Sequence, residues 1–415
     1  MCPRRALRTV KESVMQDHRK LGRELELFHS DPLVGAGLPI WLPRGAAARR
    51  AVEEYLLDLE RRHGYQHVYS PPLAKAEMYY RSGHLPHYAD DMFPPMVLGD
   101  DDAFVLRPSL CPHHAAVFAA RGRSYRELPL RIGEIGGQYR AERSGVLGGL
   151  SRVRAISLND GHVFCAEDQV EAEILAALRV MREAHAALGF QPASWRLSLR
   201  GEGPKYVDDP PMWARATAVL RGALEAAGVA YVEAEGEAAF YGPKIDIQLR
   251  DYAGRESTLA TVQVDYFMPA RFDLSYVDVD GSRRRPVMVH RSAAGSMERL
   301  FAHLIEVHDG AFPAWFAPVQ VEVLPVGEAS GRAFADECRA IGIRVRDSYS
   351  GSLAARIREA SLRRVPFVAV LGANELASGS VSLRSRDGSV SSLPVASALA
   401  LLSAACSSPQ RPARR

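Results

Sequence analysis

The sequence predicts an α+β protein: a mostly antiparallel sheet with helices packed around it, followed by a smaller α/β unit. Three observations carry this. Between residues 64 and 289, short segments alternate apolar and polar residues as strands do, and amphipathic helices lie among them rather than one after each strand. At Ala317-Pro318 the texture changes to a regular β-α-β-α-β alternation, the pattern of parallel pairing. The composition, 47% apolar and 24% charged over 415 residues, is that of an ordinary globular chain with room for two or three cores.

The formal charge of +3 is compatible with a nucleic-acid partner without arguing for one, because a basic interface needs local clustering. The five cysteines (Cys2, Cys111, Cys165, Cys338, Cys406) form no CxxC pair, which suggests reduced thiols and a cytoplasmic setting. No stretch approaches the ~20 apolar residues of a membrane helix, so no membrane partner is expected. Residues 1–11 have no apolar run after their arginines and do not read as a secretory signal.

Taken in order, residues 1–16 read as a lead-in, and residues 17–45 as a segment rich in turn residues. Residues 46–63 place Val52, Tyr55, Leu56 and Leu59 at helical spacing, and residues 64–72 then form a strand stopped by Pro71-Pro72. Residues 74–100 read as loop and short helix, and 104–108 as a strand into a turn. The stretch from Glu134 to Cys165 reads as strand, glycine-rich loop and strand, with Arg152 to Ile156 opening the second strand. Helices are expected over 166–189, 211–227 and from Gly295, and strands over 195–200, 245–249, 257–264 and 286–289. Beyond residue 317 come strands at 319–325, 343–347 and 367–371, helices at 331–340 and 354–361, a hairpin at Arg386-Asp387-Gly388 and a helix from Ala396. The expected units are therefore 17–316 and 317–405, with a Pro- and Arg-rich disordered tail over 406–415.

Two arginines at the ends of paired strands, Arg140 and Arg152, suit a di- or triphosphate, since a guanidinium forks onto phosphate oxygens. An arginine on a strand is more often a solvated surface group. Cys111, His162 and His290 lie in three separate segments, and each taken alone is ordinarily packing or surface. Tyr241-Gly242-Pro243-Lys244 is a good turn on composition alone.

The stretch Glu134–Cys165 nevertheless resembles motif 2 of the class II aminoacyl-tRNA synthetases, and its wording is close to that of threonyl-tRNA synthetases. The helix and strand ending at Pro71 resemble motif 1, and Gly295-Ser296-Met297-Glu298-Arg299 resembles motif 3. The resemblance covers roughly residues 17–405. It implies that Arg140 holds the amino-acid carboxylate and the ATP α-phosphate, that Glu142 reads the adenine amino group, and that Arg152 holds the γ-phosphate. Arg299 would stack on adenine beside Ser296, Gln263 would contact the adenylate, and Lys244 would face the reacting groups. Cys111, His162 and His290 would hold zinc, which binds the amino and hydroxyl groups of threonine, while Asp160 accepts the hydroxyl's hydrogen bond and Tyr241 positions the amino acid. The implied cofactors are Zn2+ and Mg2+, with ATP as substrate and tRNA as acceptor. A homodimer is implied through residues 46–71. Glu375 and Arg384 match positions that read the anticodon. No editing domain is expected ahead of the catalytic part.

The sequence also departs from the family pattern. Leu158 stands where Gln is usual, Ser109-Leu110 where Met-Asn is usual, His113 where Gly is usual, and Thr258-Leu259 where Gln and Cys are common. Leu158 removes a hydrogen-bond partner and adds to the apolar wall. Three readings follow: a zinc-dependent threonine–tRNA ligase; a specialised paralogue that activates threonine or a related β-hydroxy or β-amino acid for another acceptor or for inhibitor resistance; and a non-catalytic RNA-binding homologue. The retained Arg140, Glu142, Arg152 and Arg299 argue against the third, because binding RNA does not need them.

Overall fold

An eight-stranded sheet organises the N-terminal three-quarters of the chain. In the computed structural model, which describes residues 16–99, 102–327 and 329–409, its order is Val232–Glu235, Ser194–Leu199, Lys244–Arg250, Glu256–Asp265, Val287–Ser292, Ala155–Cys165, Leu130–Tyr139 and Gln66–His67. The six inner strands pair antiparallel throughout, as expected, and only the two edge strands pair parallel. The helices Pro43–Arg62, Val170–Leu188, Pro210–Ala226 and Met297–Val307 share one apolar core with the sheet. Pro43–Arg62 buries Ala48, Val52, Tyr55, Leu56 and Leu59 at three- and four-residue spacing. Fully burying each such leucine contributes about 1.5–3 kcal/mol.

From Val321 a second sheet runs Val345–Asp347, Val321–Pro325, Phe367–Leu371, Ser380–Ser385 and Val390–Pro394, the first three parallel and the last two added as a hairpin. It has its own core around Val323, Phe334, Ala369 and Leu402. Arg344 holds the connection between the sheets by donating to the carbonyls of Trp315 and Ala317, at 2.8 and 3.0 Å.

Several expectations are corrected. The segment after residue 16 is not only turns: His18–Glu24 is a helix capped by the Asp17 carboxylate. Within 74–100, Met96–Leu98 is a strand of a separate three-stranded sheet with Leu73–Lys75 and Asp102–Leu106. Arg152 is not on a strand. Gly148 and Arg152 close a tight turn, with Gly148 N–H on the Arg152 carbonyl at 3.2 Å, and the strand starts at Ala155. The last helix, Val395–Cys406, includes Cys406, which was expected to open the tail. The lead-in at residues 1–15 and the tail at 410–415 lie outside the described residues. No helix among the described residues is long and apolar enough to cross a membrane.

One buried ion pair ties the first long helix to the sheet. Arg291 and Glu60 are 1% and 0% exposed, and Nη2 meets Oε1 at 2.6 Å. Asn159 Nδ2 donates to the same Oε1 at 2.7 Å, and the His67 ring bonds the other oxygen at 2.8 Å. Burial alone would raise the Glu60 carboxyl, but Arg291, His67 and Asn159 outweigh it and hold it down. Gly161 is required opposite this pair, because a Cβ there would lie 2.8 Å from the Arg291 guanidinium. Removing one charge strands the other, so Glu60→Gln is expected to cost about 3–5 kcal/mol in denaturant unfolding, while the double replacement Glu60→Leu/Arg291→Met costs far less.

Candidate active site

Strand register builds the site. Lys244 pairs with Gln263, Gln263 with His290, and His290 with His162, so the four fall in one row across four strands. Alternation along Ala155–Cys165 puts Leu158, Asp160 and His162 on one face. Cys111 comes from outside the sheet, as the first residue of the helix Cys111–Ala119. That helix is seated on the sheet by Phe118, whose ring stacks on Phe164 at 4.6 Å.

The ligand atoms of Cys111, His162 and His290 lie within 4.8 Å of one another, and all three residues are buried. The outward ring nitrogens are already engaged. His290 Nε2 bonds Asp265 Oδ2 at 2.8 Å, and His162 Nδ1 bonds His114 Nδ1 at 2.7 Å, which leaves His290 Nδ1 and His162 Nε2 for a metal. His114 is in turn held by Glu134 at 3.3 Å. Burial, reinforced by the charges of His290, His114 and Arg291, pushes the His162 pKa well below its ordinary value, so the ring is neutral as a ligand must be. One thiol and two oriented imidazoles fit a zinc ion that keeps a position open. Asp160 lies beside them, its Oδ2 4.0 Å from His162 Nε2, and burial pushes its carboxyl up to about 6.

These groups line a cavity of about 240 Å³ together with Tyr241 and Gln263, whose side chains hydrogen-bond each other. Tyr241 also stacks on His290 at 5.1 Å. Arg140, Ser296 and Arg299 line the same cavity. Arg140 follows the strand Leu130–Tyr139, with its guanidinium 5.8 Å from the Tyr88 ring. Its Nε is buried and, among the described residues, has no hydrogen-bond partner. Arg299 is held by backbone carbonyls, donating to Ser151 O at 3.1 Å and Thr258 O at 2.6 Å.

The residue pattern and this geometry meet in the comparisons with known proteins. Residues 97–308 match the tRNA synthetase class II core domain (G, H, P, S and T), and residues 320–404 match an anticodon binding domain. The chain belongs to the class II aminoacyl-tRNA synthetases. Within them its relatives are threonyl enzymes. It is 48% identical to the threonine–tRNA ligase of Levilactobacillus brevis over 379 residues, which is 90% of this chain and 59% of that protein. The match to the Geobacillus sp. threonine–tRNA ligase is 47% over 383 residues, again 59% of the relative. The chain thus spans about three-fifths of the length of the curated relatives it matches. A solved structure of the RNA binding domain of Threonyl-tRNA synthetase from Cryptosporidium parvum Iowa II superposes with a TM-score of 0.90 at 32% identity, covering 95% of this chain and 99% of that one.

For a class II synthetase chain, three expected site residues are placed differently. Glu142 and Arg152 do not line the 240 Å³ cavity. They pair with each other, Nη2 to Oε2 at 2.8 Å. Arg152 lines a neighbouring cavity of about 520 Å³ that shares Arg299. Lys244 is drawn onto the fully buried Asp246 carboxylate, Nζ to Oδ2 at 2.6 Å. In the second unit, Glu375 caps its own helix by accepting from Gly372 N–H at 2.9 Å, while Arg384 is exposed on the strand Ser380–Ser385. Of the departures from the family phrases, Ser109, Leu158, Thr258 and Leu259 line this cavity, whereas Leu110 and His113 do not.

Sequence reading missed the residues that orient the ligands: Asp265 behind His290, and His114 and Glu134 behind His162. Asp265 lies two residues from Gln263, so strand alternation alone could have placed it on the same face. His84 was also missed. Its Nε2 meets Ser109 Oγ at 2.8 Å and lies 3.9 Å from Cys111 Sγ.

Cys111→Ser is expected to abolish stoichiometric zinc in metal analysis while leaving the circular-dichroism spectrum unchanged. Burial pushes the Cys111 thiol up, so metal must displace its proton. Zinc affinity, measured by competition with a chromophoric chelator between pH 6 and 8, should rise by up to about tenfold per pH unit.

Proposed function

We propose that this chain activates threonine with ATP and transfers it to tRNA, with residues 17–316 as the catalytic unit and 317–405 as the anticodon-binding unit. The observation that carries this is one cavity holding both halves of the chemistry. A Cys111–His162–His290 set with Asp160 forms one wall, and Arg140, whose buried Nε has no hydrogen-bond partner among the described residues, forms the other with Arg299. When bound, zinc supplies a Lewis acid that the substrate's amino and hydroxyl groups coordinate together, so an isosteric side chain without a hydroxyl is discriminated against. Cys111, His162 and His290 hold it.

The chain's own residues do the rest. Asp160 accepts the hydroxyl proton's hydrogen bond, and Tyr241, braced on His290 and Gln263, positions the amino acid. Arg140 draws the substrate carboxylate against the α-phosphate. A carboxylate oxygen bonds to the α-phosphorus, and the bond to the bridging oxygen breaks with departure of pyrophosphate. Arg140, Arg152 and Arg299 neutralise the charge, Mg2+ would add to that neutralisation when bound, and no covalent enzyme intermediate is needed. Nucleotide binding exchanges the Arg152–Glu142 pair for phosphate on one side and the adenine amino group on the other. In the second step the terminal ribose hydroxyl of tRNA attacks the mixed anhydride and AMP leaves. Glu375 and Arg384 read the anticodon in this proposal, and a homodimer forms through residues 46–71, where Tyr69 is 95% exposed. The sparse, unbridged cysteines support a cytoplasmic setting.

A second reading is favoured by one observation. Ser109, Leu158, Thr258 and Leu259, all departures from the family phrases, share the substrate cavity. This supports a specialised paralogue whose preferred substrate is another β-hydroxy or β-amino acid, or one that serves in inhibitor resistance.

Pyrophosphate exchange into ATP across an amino-acid panel, followed by charging of threonine tRNA, separates the two. Threonine as the best substrate with normal charging supports the first reading. A better substrate, or exchange without charging, supports the second. No exchange by folded, zinc-loaded protein overturns both. Arg140→Ala should lower kcat/KM for exchange by about 10²–10³-fold, the scale of losing one charge-stabilising donor.

A further inference from the structure

The phrase Asp17-His18-Arg19-Lys20-Leu21-Gly22 plays no part in the chemistry above, yet His18 and Glu306 are only 4% and 3% exposed and line the same cavity as Arg152 and Arg299. Leu150 N–H donates to His18 Nε2 at 3.2 Å. That nitrogen therefore carries no proton, and Nδ1–H donates to Glu306 Oε1 at 2.6 Å. Glu306 is on the helix Met297–Val307, the same helix as Arg299. Arg299 Nε grips the next carbonyl, Ser151 O, at 3.1 Å. The helix thus holds the turn before Arg152 at two points: directly through Arg299, and through His18 from Glu306. The approach is close enough to require Gly149, which has φ +57° and whose added Cβ would lie 2.5 Å from His18 Nε2. Leu150 itself is fully buried in the core, so the turn has a fixed foot.

We infer that His18 is a positioning residue for ATP: it clips the turn Gly148–Arg152 to the Arg299 helix and so presets Arg152 for the terminal phosphate. This rests on the nucleotide reading of Arg152 and Arg299 given above. A side chain that merely filled space would matter to stability and not to one substrate in particular. The clip instead predicts an effect on ATP and none on the amino acid, whose site is on the far side of Arg299.

Two near-isosteric variants of the full chain separate the roles. In His18→Asn the amide nitrogen overlays Nδ1, so the Glu306 bond is kept and the Leu150 acceptor is lost. In His18→Gln the amide oxygen overlays Nε2, so the acceptor is kept and only the side-chain bond to Glu306 is lost; the backbone N–H of residue 18 still donates to Glu306 Oε1 at 3.3 Å and keeps the turn tied to the helix. His18→Asn should raise KM for ATP about tenfold, the fold-change that follows from one lost buried acceptor, with KM for the amino acid and kcat within about twofold. Deuterium uptake by a peptide covering residues 146–154 should speed up in His18→Asn and stay near wild type in His18→Gln. An unchanged KM for ATP in His18→Asn overturns the inference. So does a larger rise in His18→Gln, or both KM values rising together. If His18→Asn does not fold, Gly149→Ala pushes the ring off the turn and should give the same rise confined to ATP. If the wild type exchanges no pyrophosphate, the functional reading fails, and the deuterium uptake together with ATP affinity by calorimetry still decides whether the clip exists.

Discussion

The antiparallel pairing of Val287–Ser292 with Ala155–Cys165 is the constraint on which the site depends. It sets His290 opposite His162. Side chains alternate with a period of two, so a slip of one residue would turn both imidazoles to the other face and end the metal set. The pairing is protected from slipping by what lies beneath it. Arg291 and Gly161 face each other at the next position, and the buried guanidinium fits only over a residue without a Cβ. The Glu60–Arg291 pair is thus a register lock as well as a tie between helix and sheet. The same register fixes Asp160 and Leu158 two and four residues from His162, on the wall the substrate would meet.

Around that fixed wall, charge is distributed unevenly. Arg152 pairs with Glu142 at 2.8 Å, and Lys244 pairs with Asp246 at 2.6 Å. Arg140 does not: its Nε is buried beside an aromatic ring with no acceptor. An unsatisfied buried donor costs free energy that an incoming anion recovers, so Arg140 is preorganised for a ligand while the neighbouring arginine is held in reserve by a carboxylate. The metal set shows the same economy. Asp265 and the His114–Glu134 pair take the outward nitrogens, so each ring has a single nitrogen to offer and a fixed direction in which to offer it.

The departures from the family phrases take on meaning only in this setting. Ser109, Leu158, Thr258 and Leu259 come from three separate stretches of chain and converge on one cavity. Thr258 also offers its backbone carbonyl to Arg299, and its hydroxyl accepts from Gln248 at 2.9 Å, so it touches both Arg299 and the buried polar groups beside it. Ser109 reaches the candidate metal set as well, its Oγ 3.3 Å from Cys111 Sγ.

By itself the sequence determined most of the element types, a change of texture near residue 317, the antiparallel inner sheet and the motifs by which the chain resembles its family. Those follow from local periodicity, from proline and glycine punctuation, and from short motifs read residue by residue. Only the tertiary structure decided which of those residues share a cavity, because that depends on strand register and on a helix, Cys111–Ala119, that packs from outside the sheet. It also decided the pairings a motif cannot encode: Arg152 with Glu142, Lys244 with Asp246, and His18 between Glu306 and Leu150. Each joins residues whose proximity comes from folding rather than from spacing, or is a choice among competing partners at equal distance along the chain. Such choices are made by burial, which makes an unpaired charge or N–H costly and so selects the partner that is actually within reach.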